Sequence, residues 1–214
     1  AKSYAASRQE IDLGSYGVIA SNPCFNRKVM LFGVLVQPML LRNTTSVVAS
    51  VFNSDGFGWE LGVCKSKLTF DYRGHDRVEH CIEQPLQFEL SNWYHIWAGY
   101  NTVLGRLVIG SVSVATGEIQ STELNLKLEP ILGSSDLVFA ARKQNKLSSK
   151  HFNGRLEDPA LYSCLLEPGL APPLPAVASA GQISAWWDFS IGIDTQAIVD
   201  RGPRGLAGRL VNIP

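Results

Sequence analysis

The densest cluster of potential metal ligands lies in the segment 74–81, which reads GHDRVEHC. His75 and His80 enclose two carboxylates and are followed by a thiol, and a mixture of imidazole, carboxylate and thiolate ligands could hold a transition metal. The spacing matches neither the helical HExxH motif nor a zinc-finger pattern. Two interpretations stay open: a metal site that uses His75 and His80, or a solvated loop between strands.

Glu157 and Asp158 form a second candidate pair of chemical groups. A glycosidase uses two acids that reach one groove, and two acids on one strand share a face when they lie two residues apart. Adjacent strand residues point to opposite faces, so we expect no catalytic pair here. A buried hydrogen bond and an oxygen ligand of a calcium site are the alternatives. His95 has no GxSxG serine to activate and is expected to be structural.

Five tryptophans could stack on sugar rings: Trp59, Trp93, Trp97, Trp186 and Trp187. Trp93 and Trp97 are an even number of residues apart and share a face of their strand. Trp186 and Trp187 are adjacent, so at most one of them can face a core. We therefore predict ligand contacts at Trp187, Trp59 and Trp186, with core packing or a domain interface as the alternative.

Short β-strands must position these groups, because apolar runs of five to ten residues alternate with turn residues. No segment of comparable length keeps an apolar stripe of helical period. Pro159, inside a strand-like run, indicates an edge or a bulge. The pattern predicts an antiparallel two-sheet sandwich. The predicted strands cover residues 29–38, 46–52, 58–63, 67–72, 86–90, 94–100, 106–114, 124–128, 137–140 and 154–162.

The composition changes at residues 167–181, where four of the eleven prolines occur. Proline fixes φ and lacks a backbone donor, so this stretch is predicted to be a semi-extended connector. Strand character returns at 183–189 and 209–213. We therefore divide the chain into a sandwich at 1–166, a connector at 167–181, and a segment at 182–214 that either completes the sandwich or begins a following domain.

Charge and composition exclude several functions. The 214 residues contain 19 basic and 19 acidic side chains, and this balance disfavours nucleic acid as a partner. No run of about 18 apolar residues is present, so no membrane-spanning segment is predicted. Residues 1–12 lack the apolar region of a secretion signal. The four cysteines contain no CxxC motif, and we expect reduced thiols in a cytoplasmic protein.

Three segments together resemble the laminin-G-like, or concanavalin A-like, jelly-roll family. NWYHIWAGY at 92–100 is similar to an internal strand of that family, and FNGRLEDPALY at 152–162 is similar to its closing strand. Between them, LVIG at 107–110 lies where the family usually has a strand that returns from a turn. The spacing fits over residues 15–166. The resemblance implies an all-β, two-sheet antiparallel jelly-roll sandwich, and it favours calcium at Glu157 and Asp158. It implies little about function, because the fold carries lectins, enzymes and structural modules.

The end of the chain resembles a narrower family. AWWDFS at 185–190 and IVDRGPRGLAGRLVNIP at 198–214 are similar to a stretch of the large subunit of N,N-dimethylformamidase and of related polysaccharide-binding proteins. The resemblance implies a non-catalytic module beside an iron-dependent catalytic domain or a small subunit. No residue here matches that family's iron ligands, so we expect neither cofactor nor activity in these residues. A lectin-like domain that binds carbohydrate is the alternative.

Overall fold

The computed structural model describes residues 14–144, 147–163, 167, 169–179, 181–191 and 195–212. Within them, the only helices are two short 3-10 turns at Pro23–Asn26 and Pro175–Val177, and neither approaches the length of a membrane-spanning helix. The strands are β1 (Tyr16–Ile19), β2 (Val29–Leu40), β3 (Ser46–Phe52), β4 (Gly58–Cys64), β5 (Lys67–Arg73), β6 (Glu79–Pro85), β7 (Tyr94–Asn101), β8 (Arg106–Ser113), β9 (Ile119–Asn125), β10 (Leu137–Phe139), β11 (Arg142–Gln144), β12 (Leu147–Ser149), β13 (Asn153–Tyr162), β14 (Ile183–Asp188), β15 (Ala197–Asp200) and β16 (Gly208–Val211).

The strands form two layers. The first layer has the order β6-β5-β4-β3-β10-β1-β16, and the second has the order β14-β13-β2-β7-β8-β9. β15 pairs with both β14 and β16 and so joins the layers along one side. All neighbouring strands in both layers are antiparallel. The predicted two-sheet antiparallel jelly-roll sandwich is confirmed.

Because successive side chains of a strand point to opposite faces, every second residue points between the layers and contributes to the core. Trp59 of β4 faces inward and contacts Phe32 of β2, with their ring centroids 5.7 Å apart. Phe139 of β10 lies on the other side of Phe32, with a centroid separation of 6.2 Å. The amide of Gln84 donates to the hydroxyl of Ser111 at 3.1 Å, and this buried hydrogen bond links the two layers.

The strand predictions differ from the structure at the edges. Residues 86–90 are not a strand; the outer strand of the first layer is β6, which precedes them. β6 buries only Ile82 and Gln84, so its sequence resembles a solvated loop. β1 and β15, of four residues each, were not predicted. Pro159 lies at a register shift between Glu157 and Ala160, which confirms the predicted bulge.

Residues 183–211 contribute β14, β15 and β16, and the signature residues of this segment fix the turn that joins them. The carboxylate of Asp200 accepts hydrogen bonds from the backbone N–H groups of Trp186 at 2.9 Å, Gly202 at 2.7 Å and Leu206 at 2.6 Å. Gly202 allows close approach, because an added Cβ would lie 2.7 Å from the Cα of Ala185. The residues that resemble the formamidase segment therefore have folding roles here.

The proline-rich connector crosses the outer face of the second layer. The hydroxyl of Tyr162 donates to the carbonyl of Pro173 at 2.7 Å. An added Cβ on Gly33 would lie 3.5 Å from Cγ of Pro172, which places that proline directly over β2. Beneath the connector lies a small apolar cluster. Its members are Leu31, Trp97, Val108, Ala160 and Tyr162, with Ala171 of the connector packed against them.

Candidate functional site

Two of the three predicted ligand-binding tryptophans are buried. Trp59 and Trp187 are both 0% exposed. Their indole N–H groups donate inside the protein, to the carbonyl of Phe25 at 3.1 Å and to the carbonyl of Leu206 at 2.7 Å. Neither ring offers a face to a sugar, so the prediction of ligand contact is wrong for these two residues. The alternative of core packing holds for both.

Trp186 points away from the core, as the parity of neighbouring strand residues requires. Its indole N–H donates to Asp158 at 2.9 Å, and the Arg201 guanidinium lies 5.0 Å from the ring centroid. The ring is half-buried and also packs against the apolar cluster under the connector. Protein groups thus occupy much of its surface, and Trp186 is a weak stacking platform.

The two adjacent carboxylates have separate surroundings. Asp158 has a φ of 50° at the bulge of β13 and holds the Trp186 indole, whereas Glu157 is exposed. The described residues contain no group of three or more His, Cys, Asp or Glu side chains that could hold a metal ion. Of the alternatives for this pair, Asp158 takes the role of a hydrogen-bonding partner.

The predicted metal cluster at 74–81 does not assemble in the described part of the chain. The segment is divided between a turn and a strand. The ring of His75 lies 3.3 Å from the carbonyl of Pro130 and 3.8 Å from the Glu129 carboxylate, whereas His80 pairs with Tyr72 within the sheet. Burial, with the neighbouring Asp71, raises the pKa of Cys81 to about 12. The three groups thus lie in different surroundings, the turn for His75 and β6 for His80 and Cys81.

One surface depression is a polar cleft of about 550 Å³ at one end of the first layer. Two backbone hydrogen bonds assemble it from distant segments. Lys65 N–H donates to the Arg42 carbonyl at 2.9 Å, and Val47 N–H donates to the Lys150 carbonyl at 2.7 Å. The residues lining this polar cleft are Arg42, Asn43, Thr44, Thr45, Ser46, Lys67, Ser148, Ser149, Lys150 and His151.

Six of these lining side chains carry a hydroxyl or an amide, and none of the six makes a hydrogen bond to another described residue. Their donors and acceptors are available to water or to a ligand. They come from 43–46 and 148–149. The cleft was not predicted from the sequence, because no local motif marks it. The polar runs NTTS at 43–46 and SSK at 148–150 are its signal in the sequence.

A buried carboxylate lies beneath the polar cleft. Glu60 is 1% exposed and holds the Lys150 ammonium at 2.9 Å and the Arg142 guanidinium at 3.2 Å. Burial raises the pKa of Glu60 although both cations oppose that shift. Lys150 is fixed further by its backbone, which has a φ of 53°. Glu60, in the otherwise apolar strand β4, therefore holds the Lys150 side chain of the polar cleft in place.

A smaller depression of about 100 Å³ lies beside the connector on the second layer. Trp97, Ser121 and Leu170 are among its lining residues. Its one described cation is paired, since the Arg106 guanidinium lies 2.9 Å from the Glu123 carboxylate, and Glu167 is a further carboxylate in the lining. The connector narrows it and covers the apolar surface below. The polar cleft is thus the better-developed candidate site.

No protein-family model matches the chain, and no curated protein matches it. Solved structures are similar in fold. A pentraxin of Limulus polyphemus has a TM-score of 0.53 at 15% identity, covering 82% of this chain and 86% of that one. A candidate carbohydrate-binding protein of Bacteroides ovatus has a TM-score of 0.63 at 14% identity, covering 96% and 60%. The CBM40 domain of a Ruminococcus gnavus sialidase has a TM-score of 0.55 at 10% identity, covering 68% and 80%.

Identities this low show the fold alone. Neither the laminin-G-like family nor the formamidase family is found by these comparisons. Both resemblances stay predictions from the motifs. What the strand topology and the structural neighbours establish is the fold: an all-β, two-sheet antiparallel jelly-roll sandwich.

Proposed function

We propose that the protein is a non-catalytic carbohydrate-binding module that holds its ligand in the polar cleft. One observation carries the proposal: six hydroxyl and amide side chains line the cleft and make no hydrogen bond to another described residue. Sugars present many hydroxyls that both donate and accept, and such side chains are their natural partners. The cleft volume of about 550 Å³ is also in the range of small-molecule sites.

The structural neighbours support the same ligand class. One carries carbohydrate binding in its description, and another was solved with α2,3-sialyllactose bound, at a TM-score of 0.53 and 11% identity. We propose a non-catalytic function because hydrolysis of a glycosidic bond needs two convergent acids. Among the described residues, no acid lines the polar cleft, and Glu60 below it is held by Lys150 and Arg142.

The second candidate function is that of an interaction module beside a catalytic domain or small subunit of a formamidase-like enzyme. The resemblance of residues 185–190 and 198–214 supports it. In this structure the matched residues Asp200, Gly202 and Leu206 hold a turn, so they have a folding role in this chain. A tyrosine-rich region encoded downstream in the same gene would favour this candidate. The two functions are compatible in one polypeptide.

A glycan array probed with the protein and with an Asn43→Ala/Thr44→Val double variant tests the carbohydrate proposal. Both side chains are exposed, so we expect the variant to fold. Binding to the glycans that the wild type selects should fall at least about tenfold, the equivalent of roughly 1.4 kcal/mol. Binding should persist in EDTA, because no carboxylate lines the cleft to hold calcium.

Ser121→Ala, in the smaller depression of the second layer, is the matched control and should bind like the wild type. A double variant that binds normally, or a Ser121→Ala variant that loses binding, would show that the polar cleft is not the site. If glycan binding requires calcium, Glu157 and Asp158 become the candidate calcium ligands.

A further inference from the structure

We propose that the polar cleft selects saccharides that carry an anionic group, a carboxylate or a sulfate, which Arg42 and Lys150 hold. This inference rests on the proposed function and names its ligand class. It follows from the distribution of charge in the cleft. Arg42, Lys67 and Lys150 are among the lining residues, and no aspartate or glutamate of the described residues is.

Arg42 is the most available of these cations. Its side chain is exposed and makes no ion pair or hydrogen bond to another described residue. Its backbone is fixed, since its carbonyl accepts from Lys65 N–H at 2.9 Å. A guanidinium in this state can offer two parallel N–H donors to a carboxylate or a sulfate.

Glu60 holds the Lys150 ammonium in place but does not use all of its hydrogen-bond donors. Its ammonium contacts Glu60 at 2.9 Å, yet 38% of its side chain is exposed. An ammonium has three donors, so the bond to Glu60 leaves others for a ligand. The carboxylate below also serves Arg142 at 3.2 Å, so one negative charge is shared between two cations.

The local charge balance stays positive when the surrounding acids are counted. Arg42, Lys67, Arg142 and Lys150 are the cations, and Glu60, Glu83 and Asp71 are the carboxylates. Four cations thus face three carboxylates, in a chain whose formal net charge is zero. An anion placed at Arg42 restores neutrality, and its charge-assisted hydrogen bonds are about twice as strong as neutral ones.

The lining favours a saccharide over other polyanions. A nucleic acid would need a broader basic surface than a chain of zero net charge supplies. An acidic peptide presents separate N–H donors and C=O acceptors, whereas each sugar hydroxyl both donates and accepts, as the hydroxyls of the cleft do. An acidic sugar satisfies both features: its anion meets Arg42 and Lys150, and its hydroxyls meet the polar side chains.

Paired probes with and without the anionic group test the inference. Titration calorimetry compares trigalacturonate with its fully methyl-esterified form, and lactose 3′-sulfate with lactose, beside any acidic glycan selected on the array. We expect the charged member of a pair to bind at least about tenfold more tightly at low salt, and the difference to shrink as salt rises. Arg42→Gln should abolish the difference while leaving the melting temperature unchanged. Lys150→Gln should do the same, with some loss of stability through Glu60.

Other outcomes would overturn the inference and distinguish it from the proposed function. If the array selects only neutral glycans, and Asn43→Ala/Thr44→Val removes them, the cleft binds sugar but the charge selection is wrong. If hexaglutamate binds as tightly as the charged sugars, the ligand class is wrong. If no glycan or probe binds, the proposed function fails and the inference fails with it.

Discussion

Replacing Trp187 with alanine is expected to lower the free energy of unfolding by about 3–5 kcal/mol, the range for truncating a buried tryptophan. The side chain is 0% exposed and lies between Phe25 and Phe139, with ring centroids 6.4 Å and 5.3 Å away. Truncation also removes the indole hydrogen bond to Leu206, which holds the turn between β15 and β16. The loss therefore combines a cavity with a broken link between the layers.

Urea denaturation measures this effect, and the melting temperature should fall by roughly 10 °C for a chain of this size. Leu147→Ala is the control, because that side chain is 78% exposed and its truncation should change little. If Trp187→Ala and Leu147→Ala have equal stabilities, the β14–β16 segment does not contribute to the core as described. Because Trp187 is buried, any loss of ligand binding in the alanine variant would reflect lost folding.

The second large effect is a loss of stability in acid that depends on His95. This residue lies on the outer face of the second layer and is 6% exposed. Nε2 of His95 and Cγ of Pro172 both lie close to the Cα of Gly33. A Cβ added to that glycine would be 3.2 Å from Nε2 and 3.5 Å from Cγ. Burial lowers the pKa of His95 to about 4.

The sign follows from proton uptake. Between the ordinary pKa of about 6.5 and the native pKa, the unfolded chain binds a proton at His95 and the folded chain does not. Stability due to His95 is therefore complete above pH 6.5 and is lost as the pH falls towards 4. A shift of this size corresponds to roughly 3 kcal/mol.

Unfolding free energies at a series of pH values from 7 to 4, for the wild type and His95→Gln, measure this term. The wild type should lose roughly 3 kcal/mol more than the variant over that interval, whatever the variant's stability at pH 7. His75→Gln, at an exposed histidine of the 74–81 turn, should retain the wild-type dependence. Parallel curves for the wild type and His95→Gln would contradict a buried neutral imidazole at this position.

The layers could be predicted because the apolar and β-branched runs of the inner strands contrast with the turn residues that end them. The run at 46–52 was predicted with the bounds of β3, and 67–72 differs from β5 by one residue. Strands whose sequences lack that contrast were missed. β6 has charged residues on its exposed face, and its neighbour sequence at 86–90 looked more strand-like than it is. Edge strands bury too little surface for the pattern to show.

The site could not be predicted, because it depends on contacts between residues far apart in sequence. Arg42 and Lys150 are over a hundred positions apart and meet only when β3 and the segment after β12 come together. The parity of Trp186 and Trp187 established that their faces differ, but not which of them faces the core. Which of the two tryptophans faces the core is determined by the register between β13 and β14, in which Ala160 lies opposite Trp186.

The sandwich also explains why the site lies at an end of the first layer. The connector occupies the outer face of the second layer and removes its aromatic residues from solvent. The first layer keeps an open end, where the loop at 41–45 and the residues after β12 surround the cleft. The proposed ligand recognition thus uses polar side chains rather than stacked tryptophans.

Amide chemical shifts, recorded while the protein is titrated with the tightest-binding glycan of the array, test this assignment most directly. The account predicts that the largest changes fall on residues 42–46 and 148–151, with little change around Trp186 and Ser121. Changes centred on Trp186 and Ser121, with residues 42–46 and 148–151 unaffected, would contradict it.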